Sequence, residues 1–237
     1  MRTTPGLDDA FDRAAGRYDL LTRLNPGYHR HLRAAAHALA ERIGGGPGRL
    51  VLDLGCGSGA STAALVGAID DARVVAVDAS SGMLEQAAAK SWPAGVEFVH
   101  ATAEALPELG LPPAAGAFAA YLIRNIPEDG RDDVLRIIRD RLAPGGWLVV
   151  QEYSVAGRPS AVRVWTLVCR FVVVPLARLV HGSPRLYDYL WRSVLDFDST
   201  AELADRLVGA GYTDVAHRDA TGWQRGILHT WVARRPG

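Results

Sequence analysis

The 237-residue chain has almost no lysine. Lys90 stands alone beside 25 arginines, and 26 acidic residues balance the 26 basic ones to a formal net charge of zero. A nucleic-acid binder needs a basic excess to displace counterions from phosphates, so that class is excluded. Cysteine is nearly as scarce. Cys56 and Cys169 are too few for a disulfide framework and fit a reducing, cytoplasmic compartment. Met1 to Phe11 contains acids and no apolar core, so no signal peptide is expected. No uninterrupted apolar run reaches the roughly 18 residues that a membrane span needs. The most apolar stretch, Val162 to Val180, is broken by Arg163, Arg170 and Arg178. Hydrophobic residues at 49% and charged residues at 22% exclude a disordered or collagen-like chain.

What is present is an alternation of strand and helix signals. Arg49–Leu54, Arg73–Asp78, Val96–His100, Ala117–Leu122 and Trp147–Tyr153 are predicted strands. Helical periods run over Ser58–Ile69, Ser80–Lys90 and Asp129–Leu142, with breakers at Gly44–Gly48 and at Pro144-Gly145-Gly146. Such alternation implies βαβ units with right-handed crossovers, an α/β doubly wound sheet covered by helices on both faces. Tyr212–Arg218 and Leu228–Ala233 would close it as a hairpin, for seven mostly parallel strands. The chain is expected to be a single domain. Residues 1–45 would form a helical cap, 49–154 the core, 155–197 a helical lid, and 198–237 a last helix with the hairpin. The ligand crevice should lie at the carboxyl ends of the strands, at the switch point.

The strongest local motif sits there: Asp53-Leu54-Gly55-Cys56-Gly57-Ser58-Gly59, at the end of the first strand. Its glycines fall at i, i+2 and i+4, and Ala60 and Ser61 follow, so the third glycine of a dinucleotide GxGxxG is missing. An anionic Asp53 would repel a pyrophosphate and attract a cationic amino-acid group. Asp78 ends the second strand, where a carboxylate can accept two hydrogen bonds from ribose hydroxyls. An amino acid joined to ribose without phosphate describes S-adenosylmethionine.

The surrounding residues resemble class I S-adenosylmethionine-dependent methyltransferases, which have a Rossmann-like sheet. More narrowly, they resemble the ubiquinone/menaquinone C-methyltransferase family (UbiE/MenG) along nearly the full chain. The resemblance rests on Phe11 to Leu20, which includes Tyr18-Asp19, on Val51 to Gly59, and on Ala76-Val-Asp78 through Met83-Leu. It continues through Ala101-Thr-Ala-Glu104-Ala-Leu-Pro107, Arg124-Asn125, Leu142 to Gly146, Glu152-Tyr153-Ser154, Tyr187-Asp-Tyr189-Leu190 and Gly226-Ile-Leu-His229. By resemblance, Asp53, Gly55 and Gly57 would hold the methionine part of the cofactor and Asp78 its ribose. Met83 would pack on adenine, Thr102 and Ala103 would meet its edge, and Tyr18 would cover the cofactor. Thr102 stands where relatives carry Asp or Asn. Leu122 replaces a glycine, Ala114-Ala115 replace Phe-Asp, and Phe197-Asp198 lacks a proline. Most of these departures fall on the acceptor half.

Methyl transfer from a sulfonium is an in-line displacement that asks for alignment and exclusion of water. A carbon acceptor also needs an activated ring, with a base or a positive charge near its oxygen and no metal. Arg124 and Asn125, following the fourth strand, are expected to point into the crevice and act on a small aromatic or quinol-type acceptor. Base candidates are His29, His181, His229, Glu152 and Tyr187, with His229 ranked first. No cluster has metal-ligand spacing. The 162–180 segment carries its arginines on one side of a broad apolar arc, with Pro175 expected to kink or end the helix. It would line an acceptor channel and touch a membrane surface, or pack on the sheet edge with a solvated arginine face. Heteroatom methylation of a natural product, or cofactor binding without transfer, are the rival readings.

Overall fold

A computed structural model of the chain describes residues 27–44, 48–175 and 184–237, with the backbone alone for 184–188. In chain order the strands are β1 (Leu50–Leu54), β2 (Arg73–Asp78), β3 (Val96–His100), β4 (Ala114–Ala120), β5 (Leu142–Tyr153), β6 (Thr213–Asp219) and β7 (Leu228–Arg234). They form one sheet in the order β3-β2-β1-β4-β5-β7-β6. The first five strands are parallel, and β7 lies antiparallel between β5 and β6. The α-helices are α1 (Tyr28–Ile43), α2 (Ala60–Val66), α3 (Ser81–Ala88), α4 (Glu128–Arg141), α5 (Pro159–Val168), α6 (Pro184–Leu195) and α7 (Thr200–Gly209), with short 3-10 turns at Ala103–Leu109, Ile123–Asn125 and Gly222–Gln224. The chain leaves β1 in one direction and β4 in the other, which opens a crevice between their carboxyl ends.

Alternation along β1 builds both halves of the core. Leu50, Leu52 and Leu54 pack with Val75 and Val77 against Val134, Leu135 and Ile138 of α4. Val51 turns to the other face, with Leu32 and Leu39 of α1 and Leu65 of α2. Asp53 shares Val51's face and is thereby aimed at α2. Full burial of each such aliphatic side chain contributes about 1.5–3 kcal/mol. Helix ends follow local chemistry. Ser80 caps α3 by accepting the Met83 N–H at 3.1 Å, and Ser199 with Glu202 forms a reciprocal capping box on α7.

Two elements differ from the sequence reading. β4 spans 114–120 instead of 117–122, because Tyr121 takes a left-handed φ of 61° and turns the chain out of the sheet. Pro144-Gly145-Gly146 does not end the helix ahead of a strand. Leu142 pairs with Ala114 and Trp147 with Gly116, so 143–146 form a bulge inside β5 opposite Ala115. α5 runs on through a π-turn at Cys169–Val173, where Val174 N–H donates to the Cys169 carbonyl, and helical backbone reaches Pro175. The expected lid beyond it, 176–183, and the cap before Gly27 lie outside the described residues.

Candidate active site

The glycine turn after β1 is held by its neighbour strand. Gly55 N–H and Cys56 N–H both donate to the Val77 carbonyl, at 2.8 and 3.1 Å. Asp78 then clamps the turn. Its Oδ2 accepts Gly57 N–H at 2.7 Å, and its Oδ1 accepts Ser80 N–H at 2.9 Å. Gly55 and Gly57 have φ of 68° and 54°, which a side chain would strain. A Cβ on Gly55 would lie 3.1 Å from Leu122 Cδ1, whereas beside Gly57 no heavy atom comes within 4 Å. The open space there is the cleft, so a ligand can approach bare backbone.

Asp53 is 0% exposed and does not line the cleft. Its Oδ2 accepts Ser61 Oγ–H at 2.9 Å and Thr62 Oγ1–H at 2.6 Å, while Oδ1 has no hydrogen-bond partner among the described residues. Burial pushes this carboxyl up to about 7, against the two hydroxyls, and the charge of Asp78 adds to the rise. A buried carboxylate oxygen without a donor costs free energy that a nearby ammonium would recover. On that ground, together with the open backbone at Gly57, the residues present fit S-adenosylmethionine.

On the β2–β3 side, Asp78, Met83, Thr102 and Ala103 all line the cleft, with Ser80 and Glu104 beside them. Met83 is buried on the inner face of α3. On the β4 side the lining residues are Tyr28, Tyr121, Leu122 and Asn125. The Asn125 amide donates to the Tyr121 carbonyl at 2.9 Å, and its Oδ1 accepts Tyr189 O–H at 3.2 Å. Tyr28 and Tyr121 stack with centroids 5.4 Å apart, and the column continues through Tyr153 and Trp165. Sequence reading missed Tyr28 and Tyr121. The signal was slight: an aromatic after Gly27 at a helix start, and one between β4 and Arg124-Asn125.

Besides Asp53, two expected site residues lie off the cleft lining. Arg124 is buried and absent from the cleft lining. Its Nη1 sits 3.7 Å from Glu152 Oε2, and its backbone N–H donates to Glu152 Oε1 at 3.3 Å. Burial pushes Glu152 up to about 7, with the Arg124 charge opposing. This arginine does not line the crevice expected for it. His229 is also fully buried, on β7. Its Nε2–H donates to the Ser154 carbonyl at 3.1 Å, and Nδ1 lies 2.9 Å from Asp219 Oδ1. Burial lowers its pKa, with Asp219 opposing. Among the other candidates, His29 stands edge-on to Tyr28. Tyr18, His181 and the Tyr187 side chain lie outside the described residues. Cys56 lines the cleft, and burial raises its thiol pKa, which disfavours the nucleophilic thiolate.

The 3-2-1-4-5-7-6 sheet, the glycine turn and the acid closing the second strand agree with the class I S-adenosylmethionine-dependent methyltransferases that the sequence resembles. The ubiE/COQ5 methyltransferase family model matches residues 3–233. The chain belongs to that family. A demethylmenaquinone methyltransferase from Clavibacter sepedonicus is 34% identical over 92% of this chain and 86% of its own. The ubiquinone/menaquinone biosynthesis C-methyltransferase UbiE of Syntrophotalea carbinolica is 35% identical over 92% of this chain and 91% of its own. Among solved structures, the Burkholderia thailandensis 1,6-didemethyltoxoflavin-N1-methyltransferase, bound to S-adenosylhomocysteine, superposes with a TM-score of 0.65 at 19% identity. That match covers 98% of this chain and 88% of the other. Phosphoethanolamine N-methyltransferase 2 of Haemonchus contortus gives 0.71 at 16%, over 100% of this chain and 60% of its own. At these identities the structural likeness speaks for the fold alone.

Proposed function

We propose that the protein transfers a methyl group from S-adenosylmethionine to a ring carbon of a quinol-type aromatic acceptor. The acceptor class is supported by the activities for which the relatives above are named. The observation that carries the reading is the division of one cleft. Backbone, glycine and carboxylate line one side, and a tyrosine pair with a polar Asn125–Tyr189 contact lines the other.

When bound, the cofactor supplies an electrophilic methyl on a positively charged sulfur. In this assignment Asp78 accepts the ribose hydroxyls on the lone pairs left beside its two amide bonds. Gly55 and Gly57 let the methionine part lie against backbone, Asp53 draws its ammonium from beneath, and Met83, Thr102 and Ala103 flank the adenine. Asn125 orients the acceptor hydroxyl, and the tyrosines exclude water from the ring. Transfer to the ring carbon would leave the carbon–sulfur bonding pair on sulfur, and the displaced ring hydrogen would leave as a proton to solvent water.

A lipid-tailed acceptor needs access from a bilayer. No described helix is long and apolar enough to cross one. α5 exposes Val164 and Leu167, and Phe171 of the following π-turn is 67% exposed, beside the exposed Arg163 and Arg170. An apolar row flanked by arginines, with no acid between 159 and 175, suits an anionic lipid surface. Incubation with cofactor carrying a carbon-13 methyl and a demethylated naphthoquinol tests the main reading by NMR of the product. A carbon-bound methyl is expected. A methyl on oxygen, or no transfer by protein that binds S-adenosylhomocysteine, overturns it.

A further inference from the structure

The β6–β7 hairpin gathers three metal-ligating side chains outside the cleft. In its antiparallel register Asp219 pairs with His229 and His217 with Trp231. His217 and Asp219 are two residues apart, so both stand on the face that carries His229 across the ladder. One ligand atom from each of His217, Asp219 and His229 lies within 4.8 Å of the others. Spread over thirteen positions of sequence, the set has no recognisable spacing, and strand pairing assembles it.

Hydrogen-bond accounting shows what the cluster lacks. The Ser154 carbonyl can only accept, so His229 Nε2 carries a hydrogen. A neutral ring then presents the Nδ1 lone pair to Asp219 Oδ1 at 2.9 Å, two acceptors facing each other. A cation held between them would satisfy both lone pairs. The ring is also arranged as a metal-bound histidine is, its far nitrogen donating to a backbone carbonyl that fixes the tautomer and leaves the near one bare. Arg158 Nη1, 3.2 Å from Asp219 Oδ2, engages the carboxylate's other oxygen and leaves Oδ1 turned to His229. His217 is exposed and supplies both the third donor and the route of entry.

We infer that His217, Asp219 and His229 form a binding site for a divalent transition metal, of the zinc type, that staples β6 to β7. Two imidazoles and one carboxylate suit a borderline-soft ion, and three protein ligands leave a fourth position for solvent on the His217 side. Zinc bonds of about 2.0–2.2 Å set tetrahedral ligands roughly 3.3–3.5 Å apart, so the ion would spread the 2.9 Å His229–Asp219 pair by about half an ångström and draw in the exposed His217. The site lies outside the cleft, so it is independent of the methyl-transfer reading.

The test is calorimetric titration of untagged, chelator-treated full chain with Zn2+, repeated for His217→Ala and Asp219→Asn. One equivalent in the wild type and at least tenfold weaker binding in both variants is expected, with S-adenosylhomocysteine affinity unchanged throughout. Zn2+ should also raise the melting temperature of the wild type and not of His217→Ala. Absence of stoichiometric binding, or unchanged binding in His217→Ala, overturns the inference. His217 is a surface side chain, so its variant stays folded, and the unchanged S-adenosylhomocysteine affinity reports that fold.

Discussion

The two banks of the cleft are built differently. On the β1–β2 bank the polar groups belong to short loops at strand ends, and one carboxylate, Asp78, is tied to the backbone amides of Gly57 and Ser80. On the β4–β5 bank the strongest charges, Arg124 and Glu152, are buried beside each other and do not line the cleft, and the Arg124 guanidinium also lies 5.7 Å from the Tyr121 ring centroid. A charged residue at a strand end is therefore placed by its partner as much as by its position. The first bank is fixed by the β1–β2 pairing, which carries Asp78 to the Gly57 amide across 21 residues. The second presents neutral groups, Asn125 and the tyrosines, to the cleft.

Substitutions can sharpen or break that contrast. The largest effect should come from Arg124→Ala, which strands Glu152 without its cation in a fully buried setting. About 3–5 kcal/mol of stability should be lost in urea unfolding, with S-adenosylhomocysteine affinity nearly unchanged in the folded fraction. Pairing it with Glu152→Gln should recover part of the loss. A stable Arg124→Ala that merely loses turnover would return this arginine to the acceptor. Next, Asp78→Ala removes charge-assisted hydrogen bonds worth about 1.5–3 kcal/mol each, so calorimetric affinity for S-adenosylhomocysteine should fall by about 100-fold. Wild-type affinity would break the assignment of the first bank. Asn125→Ala should cut kcat by roughly 10- to 100-fold while cofactor affinity holds, the size of one lost orienting bond in a single-turnover assay.

Smaller still is a pH effect. Burial holds Asp53 at about 7 in the fold, well above its unfolded value. The native state thus keeps a proton that the unfolded chain releases, and stability falls as pH rises. The contribution is complete below about pH 4 and is lost towards pH 7, at a slope of about 1.4 kcal/mol per unit. Denaturant midpoints across that range should decline in the wild type and flatten in Asp53→Asn. Smallest on stability is Phe171→Ser. Its ring is exposed, so unfolding should move by no more than about 0.5 kcal/mol, while co-sedimentation with anionic vesicles drops severalfold. Unaltered sedimentation would remove the membrane from the acceptor's route.

Much of the sheet was legible because its strands are short buried runs bounded by glycine. β2 and β3 match their predicted limits to the residue, and β1 starts one residue late. β4 slipped because Ala114-Ala115-Gly116 carries little strand preference, and because Tyr121 adopts a turn conformation that nothing nearby announces. The β5 bulge was hidden since proline and glycine signal a break whether the strand stops or swells. On the first bank, Asp78, Met83, Thr102 and Ala103 line the cleft as the motifs suggested. Arg124 could not be placed from sequence: its partner is 28 residues away and meets it only after β4 and β5 pair. The surroundings of His229 were hidden for the same reason, since Ser154 and Asp219 reach it from two other strands' ends.

The scarcity of lysine has a practical side. Lys90 is exposed just beyond α3, and its Nζ donates to the Ser58 carbonyl at 2.7 Å, on the glycine turn itself. Amine-reactive chemistry therefore finds one lysine side chain in the sequence, and that side chain is anchored to the glycine turn that lines the cleft. A fluorophore coupled there would sit beside the turn without an engineered handle. The protein carries its own attachment point for an optical gauge of how full its cleft is.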